Sequence, residues 1–453
     1  MKTIRIGGGQ GFWGDSNDAA IHMVKKGDLH YLACDYLAEL TLSIMQRQRQ
    51  RNPEKGFAHD FIIMLRDILK ESLIKNVKIL SNAGGMNVTG AVNEIVKLAA
   101  KLQVKDFKIG YVLGDDLLDD LQKLQSNGVA LKNFDDGRDF AEIKDKVVNA
   151  NVYYGHEPIK KCLEMGAHIV ITGRATDSSL FLAPLAHEFG WKTDEWSKLA
   201  RGIIVGHLLE CGGQGSGGNF DYGWRSVPGL EELGYPIAAV RDTDEIVITK
   251  APDCGGLISV ETCKEQLLYE IHDPANYITP DVVVDISQAK LTGIEKNRVR
   301  LEDVSGKPRP DQLKLCIGYL AGYKIEGYLP FSWPDALDKA KAAAEIILKR
   351  LEKKGLKANR VRVDYLGVNA LHGPVAPPPS GELNEVVLRI AIQTDDKKEA
   401  EKLAPEFSPI ILNGPPGSCF FGGRPKATEI IALWPTLIPR ESVELTSHVF
   451  EVK

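Results

Sequence analysis

The chain has 453 residues, 43 % of them hydrophobic and 26 % charged, with 56 Lys and Arg against 61 Asp and Glu. That composition is the profile of a folded globular chain and excludes a disordered or fibrous one. The net charge of −5 lacks the basic excess of a nucleic-acid binder.

Its first 115 residues alternate between short apolar runs and longer segments of helical spacing. The runs Thr3–Ile6, His30–Ala33, Val77–Leu80 and Phe107–Leu113 read as buried strands. Asp18–Lys25, Tyr36–Arg47, Phe57–Ile74 and Val88–Leu102 read as helices between them. This alternation implies βαβ units around a parallel sheet. It continues through Ile143–Val148, Val152–Tyr154, Pro158–Met165 and His168–Thr172. Further on, Ile246–Lys250, Leu257–Val260 and Val282–Asp285 read as strands and Glu261–Ile271 as a helix. Trp333–Lys354 reads as a long amphipathic helix. Arg360–Tyr365 and Glu385–Ile392 read as strands, with Lys397–Leu403 helical. The expected fold is α/β. A doubly wound parallel-sheet domain spans residues 1–200, a Gly-rich α/β portion 201–355 and a smaller α+β portion 356–453.

The seven cysteines form no Cys-x-x-Cys pair, and the histidines show no His-x-His or His-x-x-x-His spacing. Neither a disulfide scaffold nor a zinc-type centre is expected. Asp115-Asp116 could hold Mg²⁺, but capping of the following helix is the better reading of the pair. The opening residues enter a strand-like run rather than a hydrophobic signal segment. No apolar run reaches the ~18–20 residues of a membrane helix. The expectation is a cytoplasmic protein that engages no membrane and no nucleic acid.

Several turns carry candidate chemistry. Gly7-Gly8-Gly9 follows a strand, where backbone amides could approach a phosphate or carboxylate; an ordinary tight turn is the competing reading. Asp15 and Asn17 belong to a cluster that either caps the next helix or anchors a ligand. Asn82, Gly84 and Gly85 form a second strand-end turn. Arg174 follows another strand and could clamp a carboxylate bidentately, with Asp177 orienting it or acting as a base; a purely structural pair fits too. His207, Glu210 and Cys211 share the end of an apolar helical segment just before a glycine-dense loop that includes Asn219. Glu210 with His207 could form a general acid/base pair. Cys211 could act as a nucleophile or simply fill a buried position. In open α/β sheets ligands bind beyond the carboxyl ends of the strands, so the turns should line one crevice. No dinucleotide fingerprint is present, so no nicotinamide or flavin role is expected.

The block Ile6–Ser16 resembles the opening of the acyclic terpene utilisation (AtuA-like) proteins. So do Tyr31–Leu40, Asn82–Asn87, Thr172–Asp177, Gly206–Gly212, Ser216–Phe220 and Glu265–Pro274. The resemblance implies a place in the catabolism of branched and terpenoid acids by way of CoA thioesters. It also implies a small ferredoxin-fold domain opened by Ser-Gly-Asp-Lys-Gly. That motif is missing here, so the small ferredoxin-fold domain is expected either as a separate partner subunit or as dispensable, beside a homo-oligomer.

These readings converge on a lyase that adds or removes water, or cleaves a C–C bond, in a branched carboxylic acid or its CoA thioester. Glu210, Asp177 and His207 would carry the chemistry, with Arg174 and the Gly7–Gly9 amides as the anchor. The alternatives are an acyl or CoA transferase and a non-catalytic substrate-binding large subunit.

Overall fold

The computed structural model describes residues 2–243 and 245–453. The chain runs β1 (Thr3–Gln10), α1 (Asp18–Lys26), β2 (Tyr31–Cys34), α2 (Glu39–Arg51), α3 (His59–Ile74), β3 (Lys78–Ser81), α4 (Val88–Leu102), β4 (Phe107–Leu113), α5 (Leu121–Ser126), β5 (Val147–Val152), α6 (Glu157–Glu164), β6 (Ile169–Ile171), α7 (Ser179–Glu188) and α8 (Trp196–Leu209). It continues through β7 (Pro236–Arg241), β8 (Ile246–Lys250), α9 (Val260–Leu268), β9 (Tyr277–Ile278), β10 (Val283–Asp285), β11 (Lys290–Glu295), β12 (Arg298–Glu302), β13 (Ser305–Lys307) and β14 (Gln312–Ser332). The last elements are α10 (Ala336–Lys353), β15 (Arg360–Leu366), β16 (Glu385–Thr394), β17 (Thr428–Pro439) and β18 (Thr446–Val452).

The residues fall into two compact units, Met1–Gly318 with Leu433–Lys453, and Tyr319–Ala432. The first is built on a ten-stranded mixed sheet ordered β11-β12-β8-β7-β1-β2-β3-β6-β4-β18. Its β1-β2-β3-β6-β4 stretch is parallel, while β7, β8, β12, β11 and β18 add antiparallel. Every residue of β2 and of β6 is buried, as expected of strands packed on both faces.

Successive side chains on these strands point to opposite faces. Ile4, Ile6, Ala33, Leu80 and Val170 share one core with Leu180 and Phe181 of α7 and Ile203 and Ile204 of α8. Leu32, Cys34, Ile79, Ile169 and Ile171 share another with Met23 of α1, Phe61 and Leu65 of α3 and Ile95 of α4. Each such aliphatic side chain contributes roughly 1.5–3 kcal/mol on burial. Truncating one to Ala would typically cost about 2–5 kcal/mol.

β1 does not stop at Ile6 but runs through the glycines to Gln10. A Cβ on Gly8 would stand 2.2 Å from the Leu209 carbonyl oxygen, and one on Gly11 2.7 Å from the Cys211 carbonyl carbon. The glycines thus let the end of α8 lie directly against β1. The strand expected over Leu257–Val260 is absent. Ser259 instead opens α9 with a capping box, its Oγ accepting from Thr262 N at 3.2 Å while its own N donates to Thr262 Oγ1 at 3.0 Å.

A five-stranded sheet is ordered β15-β16-β14-β17, with β5 pairing β14 beside that path. Ala340, Ala343, Ala344 and Ile347 of α10 pack on Leu388 and Ile390 of β16. Among the described residues no helix is long and apolar enough to cross a membrane.

Candidate functional site

The carboxyl ends of the parallel strands meet at a cavity of about 1000 Å³ within the first unit. Gly11 and Phe12 reach its wall from β1, Asp35, Leu37 and Glu39 from β2, and Arg174, Thr176 and Asp177 from β6. Two further strand ends stand one layer back. Asn82, after β3, donates from Nδ2 to Asp35 Oδ1 at 2.5 Å. Asp115, after β4, accepts from the Arg174 backbone N at 2.7 Å. Parallel strands end at one level, so the chain emerging from each supplies a side chain to the same crevice. Glu210, Cys211, Tyr269, Glu270, Tyr277 and Lys314 add further polar groups to the wall.

Arg174 is 3 % exposed. Its Nη1 donates to Asp177 Oδ1 and, at 3.3 Å, to the Ala175 carbonyl. Its guanidinium carbon lies 4.1 Å from the centre of the Tyr153 ring, within cation–π range. Lys314 Nζ is 4.7 Å from the same ring centre and donates to Glu39 Oε1 at 3.1 Å. Behind the arginine runs a buried polar chain. Ser43 Oγ donates to Asn149 Oδ1 at 2.6 Å, Asn149 Nδ2 to Asn151 Oδ1 at 3.0 Å, and Asn151 Nδ2 to Asp115 Oδ2 at 3.2 Å. A Cβ on residue 173 would sit 2.3 Å from Asp115 Oδ1, so only glycine fits there.

Burial sets the protonation of the wall. Burial first, then the neighbouring Asp177, pushes the Asp35 carboxyl well above the ordinary range, against Arg174 and the Asn82 hydrogen bond. Burial also raises Asp177 to about 6; Arg174 pulls it down and Glu210 adds to the rise. Glu39 is the opposite case: burial lifts it, but Arg174 and Lys314 outweigh burial and hold it at about 2. Asp115 is raised to about 6 by burial, despite the Arg174 amide and Asn151. Close carboxyl groups with pKa values pushed apart are the arrangement that acid/base chemistry uses.

Glu210 is held at both oxygens. Ser178 Oγ donates to Oε2 at 2.6 Å, and His207 Nδ1 lies 3.0 Å from Oε1. His207 is buried behind Glu210, with its carbonyl accepting from Gln266 Nε2 at 2.7 Å and its Nε2 buried without a partner. Its ring centre is 5.5 Å from that of Tyr277. Burial and the adjacent Glu210 push the Cys211 thiol up, which leaves it protonated rather than a thiolate at neutral pH.

Of the residues singled out from sequence, Arg174, Asp177, Glu210 and Cys211 meet at the cavity wall, and His207 and Asn82 stand directly behind it. Gly7, Gly8 and Gly9 lie within β1, off the wall. Asp15 is engaged internally: its oxygens take Gly11 N at 2.9 Å, Ser16 N at 2.7 Å and Tyr235 Oη at 2.5 Å. Asn17 accepts from Gln10 Nε2 at 2.8 Å and makes no side-chain cap on α1. Gly84 packs where a Cβ would meet the Thr172 carbonyl at 2.6 Å, and Gly85 takes φ +48°. Asn219 sits off the wall with φ +55°. Asp116 accepts from Leu118 N at 3.2 Å and pairs with Arg49 at 3.6 Å. Among the described residues no group of three or more His, Cys, Asp or Glu side chains is arranged to hold a metal ion.

Sequence reasoning did not pick out Glu39, Tyr153, Glu270, Tyr277 or Lys314. Glu39 carried a usable signal, since it lies just beyond a strand end. Lys314 carried none, because β14 reaches the site only through its pairing with the β5 region, where Tyr153 N donates to Lys314 O at 2.9 Å.

No curated protein and no solved structure matches the chain. The profile of one family, described as acyclic terpene utilisation family protein AtuA, matches residues 4–449. That span carries the whole parallel sheet and every residue of the cavity wall, and the chain belongs to the acyclic terpene utilisation family AtuA.

Proposed function

We propose that the cavity is the active site of a lyase that adds or removes water, or cleaves a C–C bond, in a branched carboxylic acid or its CoA thioester. Family membership suggests a role in terpene utilisation. The proposal takes the parallel half of the sheet as a doubly wound core with its ligand at the strand ends. The observation that carries it is the meeting of Asp177, paired with Arg174, and Glu210 on one cavity wall, where the surroundings raise the Asp177 carboxyl above its ordinary range.

A lyase of this kind needs one group to take a proton near neutral pH and another to return one. Asp177 is the first. Glu210, fixed by Ser178 and His207, is the second. Negative charge grows on the acyl oxygen as the neighbouring carbon loses its proton, and Arg174 is the cation that stabilises it. The protonated thiol of Cys211 favours this chemistry over a covalent transferase.

The test is a thermal-shift screen with CoA, acyl-CoAs and branched mono-, di- and tricarboxylates, followed by turnover of those that bind. Loss or gain of a carbon–carbon double bond, abolished by Asp177→Asn, supports the proposal. Full turnover in Asp177→Asn sinks it.

A further inference from the structure

Three residues of the cavity wall each carry a buried polar atom that lacks a hydrogen-bond partner: Tyr153 Oη, Arg174 Nε and Thr176 Oγ1. Arg174 and Thr176 stand two residues apart on one turn, and all three atoms can donate. A buried donor left without an acceptor costs roughly 1–3 kcal/mol, so native sites rarely keep one unless a ligand or water supplies the acceptor. Lys314 brings a further donor. Its ammonium carries three N–H groups, and Glu39 takes a single bond from it. Lys314 and Arg174 are also tied together through the Tyr153 ring that both overlie.

The rest of the wall has another character. Phe12, Phe134, Leu37, Leu313 and Leu437 give it a broad apolar surface. The volume far exceeds what a carboxyl head alone would fill.

We propose that Arg174, Thr176 and Lys314 form a subsite for the acyl oxygens of an amphipathic ligand, a carboxylate or a thioester carbonyl, whose aliphatic chain lies on Phe12, Phe134 and Leu437. The proposal rests on the reading of this cavity as the active site, and it assigns Lys314 and Thr176 to binding. Arg174 and Thr176 turn their donors to the acyl oxygens as the ligand enters, and Lys314 supplies charge beside the same Tyr153 ring. Glu39, already paired with Lys314, keeps the ammonium in place without neutralising all its donors.

The experiment is isothermal titration of the full chain, without turnover, using 4-methyloctanoate, 4-methyloctanoyl-CoA and 4-methyloctanol as probes. The variants are Lys314→Met and Thr176→Val, each checked for an unchanged melting curve. A hydrogen bond to a charged group is lost in each, so affinity for the acyl probe should fall about tenfold or more in Lys314→Met, and severalfold in Thr176→Val. The alcohol should bind weakly and equally to all three proteins. If the acid alone shows the loss, the subsite takes a carboxylate; if the thioester shows it, the acyl carbonyl is the group held. Acyl binding that is indifferent to both substitutions, or no binding of either acyl probe, overturns the subsite. Because nothing is turned over, a failed lyase assay leaves this result standing, and the two proposals fail separately.

Discussion

The Ser178 hydroxyl donates to Glu210 Oε2 over 2.6 Å and joins the turn after β6 to the end of α8. The contact is buried, and a Cβ on Gly206 would meet Ser178 Cα at 2.7 Å. The two segments that carry Asp177 and Glu210 are therefore locked at a fixed distance, as a paired acid and base require.

Glu210→Gln should abolish turnover while keeping the fold. The amide retains one acceptor but turns an NH₂ toward Ser178 or His207, so melting should drop by the equivalent of about 1–2 kcal/mol. Ser178→Ala should lose less activity than Glu210→Gln, because it frees the carboxylate without removing it. Steady-state kinetics beside thermal melts decide the order.

Asp177 sets the pH dependence of the reaction. With its carboxyl near 6, kcat/KM should rise through an apparent pKa close to that value as the base ionises. In Asp177→Asn the limb should vanish with the activity. A limb that survives unchanged at residual activity would assign it to another group.

Stability carries its own pH signature. Asp115 has a folded pKa of about 6, above the unfolded value near 3.9. The folded state then holds its proton over a window where the unfolded chain has lost it. The contribution of this group is full below about pH 4 and is lost as pH rises through 6, about 2–3 kcal/mol in all. Asp115→Asn should flatten that slope, measured by urea unfolding at pH 4.5 and pH 7.

Glycine substitutions separate packing from looseness. Gly8→Ala puts a Cβ 2.2 Å from the Leu209 carbonyl and should cost roughly 1–3 kcal/mol. Gly381→Ala meets nothing within 4 Å and should fall within about 0.5 kcal/mol of the parent. Urea midpoints of the two variants measure the contrast.

The parallel strands are legible in sequence because a strand buried on both faces reads as an unbroken apolar run, as Tyr31–Cys34 and Ile169–Ile171 do. His207 and Glu210 are legible as a pair because a helix brings positions i and i+3 together. The role of Gly8 is not. A glycine that admits a ligand and one that admits a neighbouring carbonyl look alike until the end of α8 is placed. Lys314 and Tyr153 come from distant segments joined only by strand pairing, and local pattern carries no trace of such a contact. Ser259 looks like strand in sequence because its apolar neighbours mask its capping box with Thr262.

Cys211 offers a check on the non-covalent mechanism. Its thiol is pushed up by burial and by Glu210, while Cys419 is exposed. Iodoacetamide at pH 7 should label Cys419 well before Cys211, followed by peptide mass spectrometry, and Cys211→Ser should keep most activity.

The most direct test of the acid/base centre is proton exchange followed by NMR in D₂O. A branched α,β-unsaturated acid and its CoA thioester are incubated with the protein, and deuterium at the carbon next to the carbonyl is measured together with the hydrated product. The account predicts deuterium incorporation with at least one of the two, lost in both Asp177→Asn and Glu210→Gln while the ligand still binds. Incorporation that persists in both variants, or its absence with both compounds although both bind in the cavity, would contradict it.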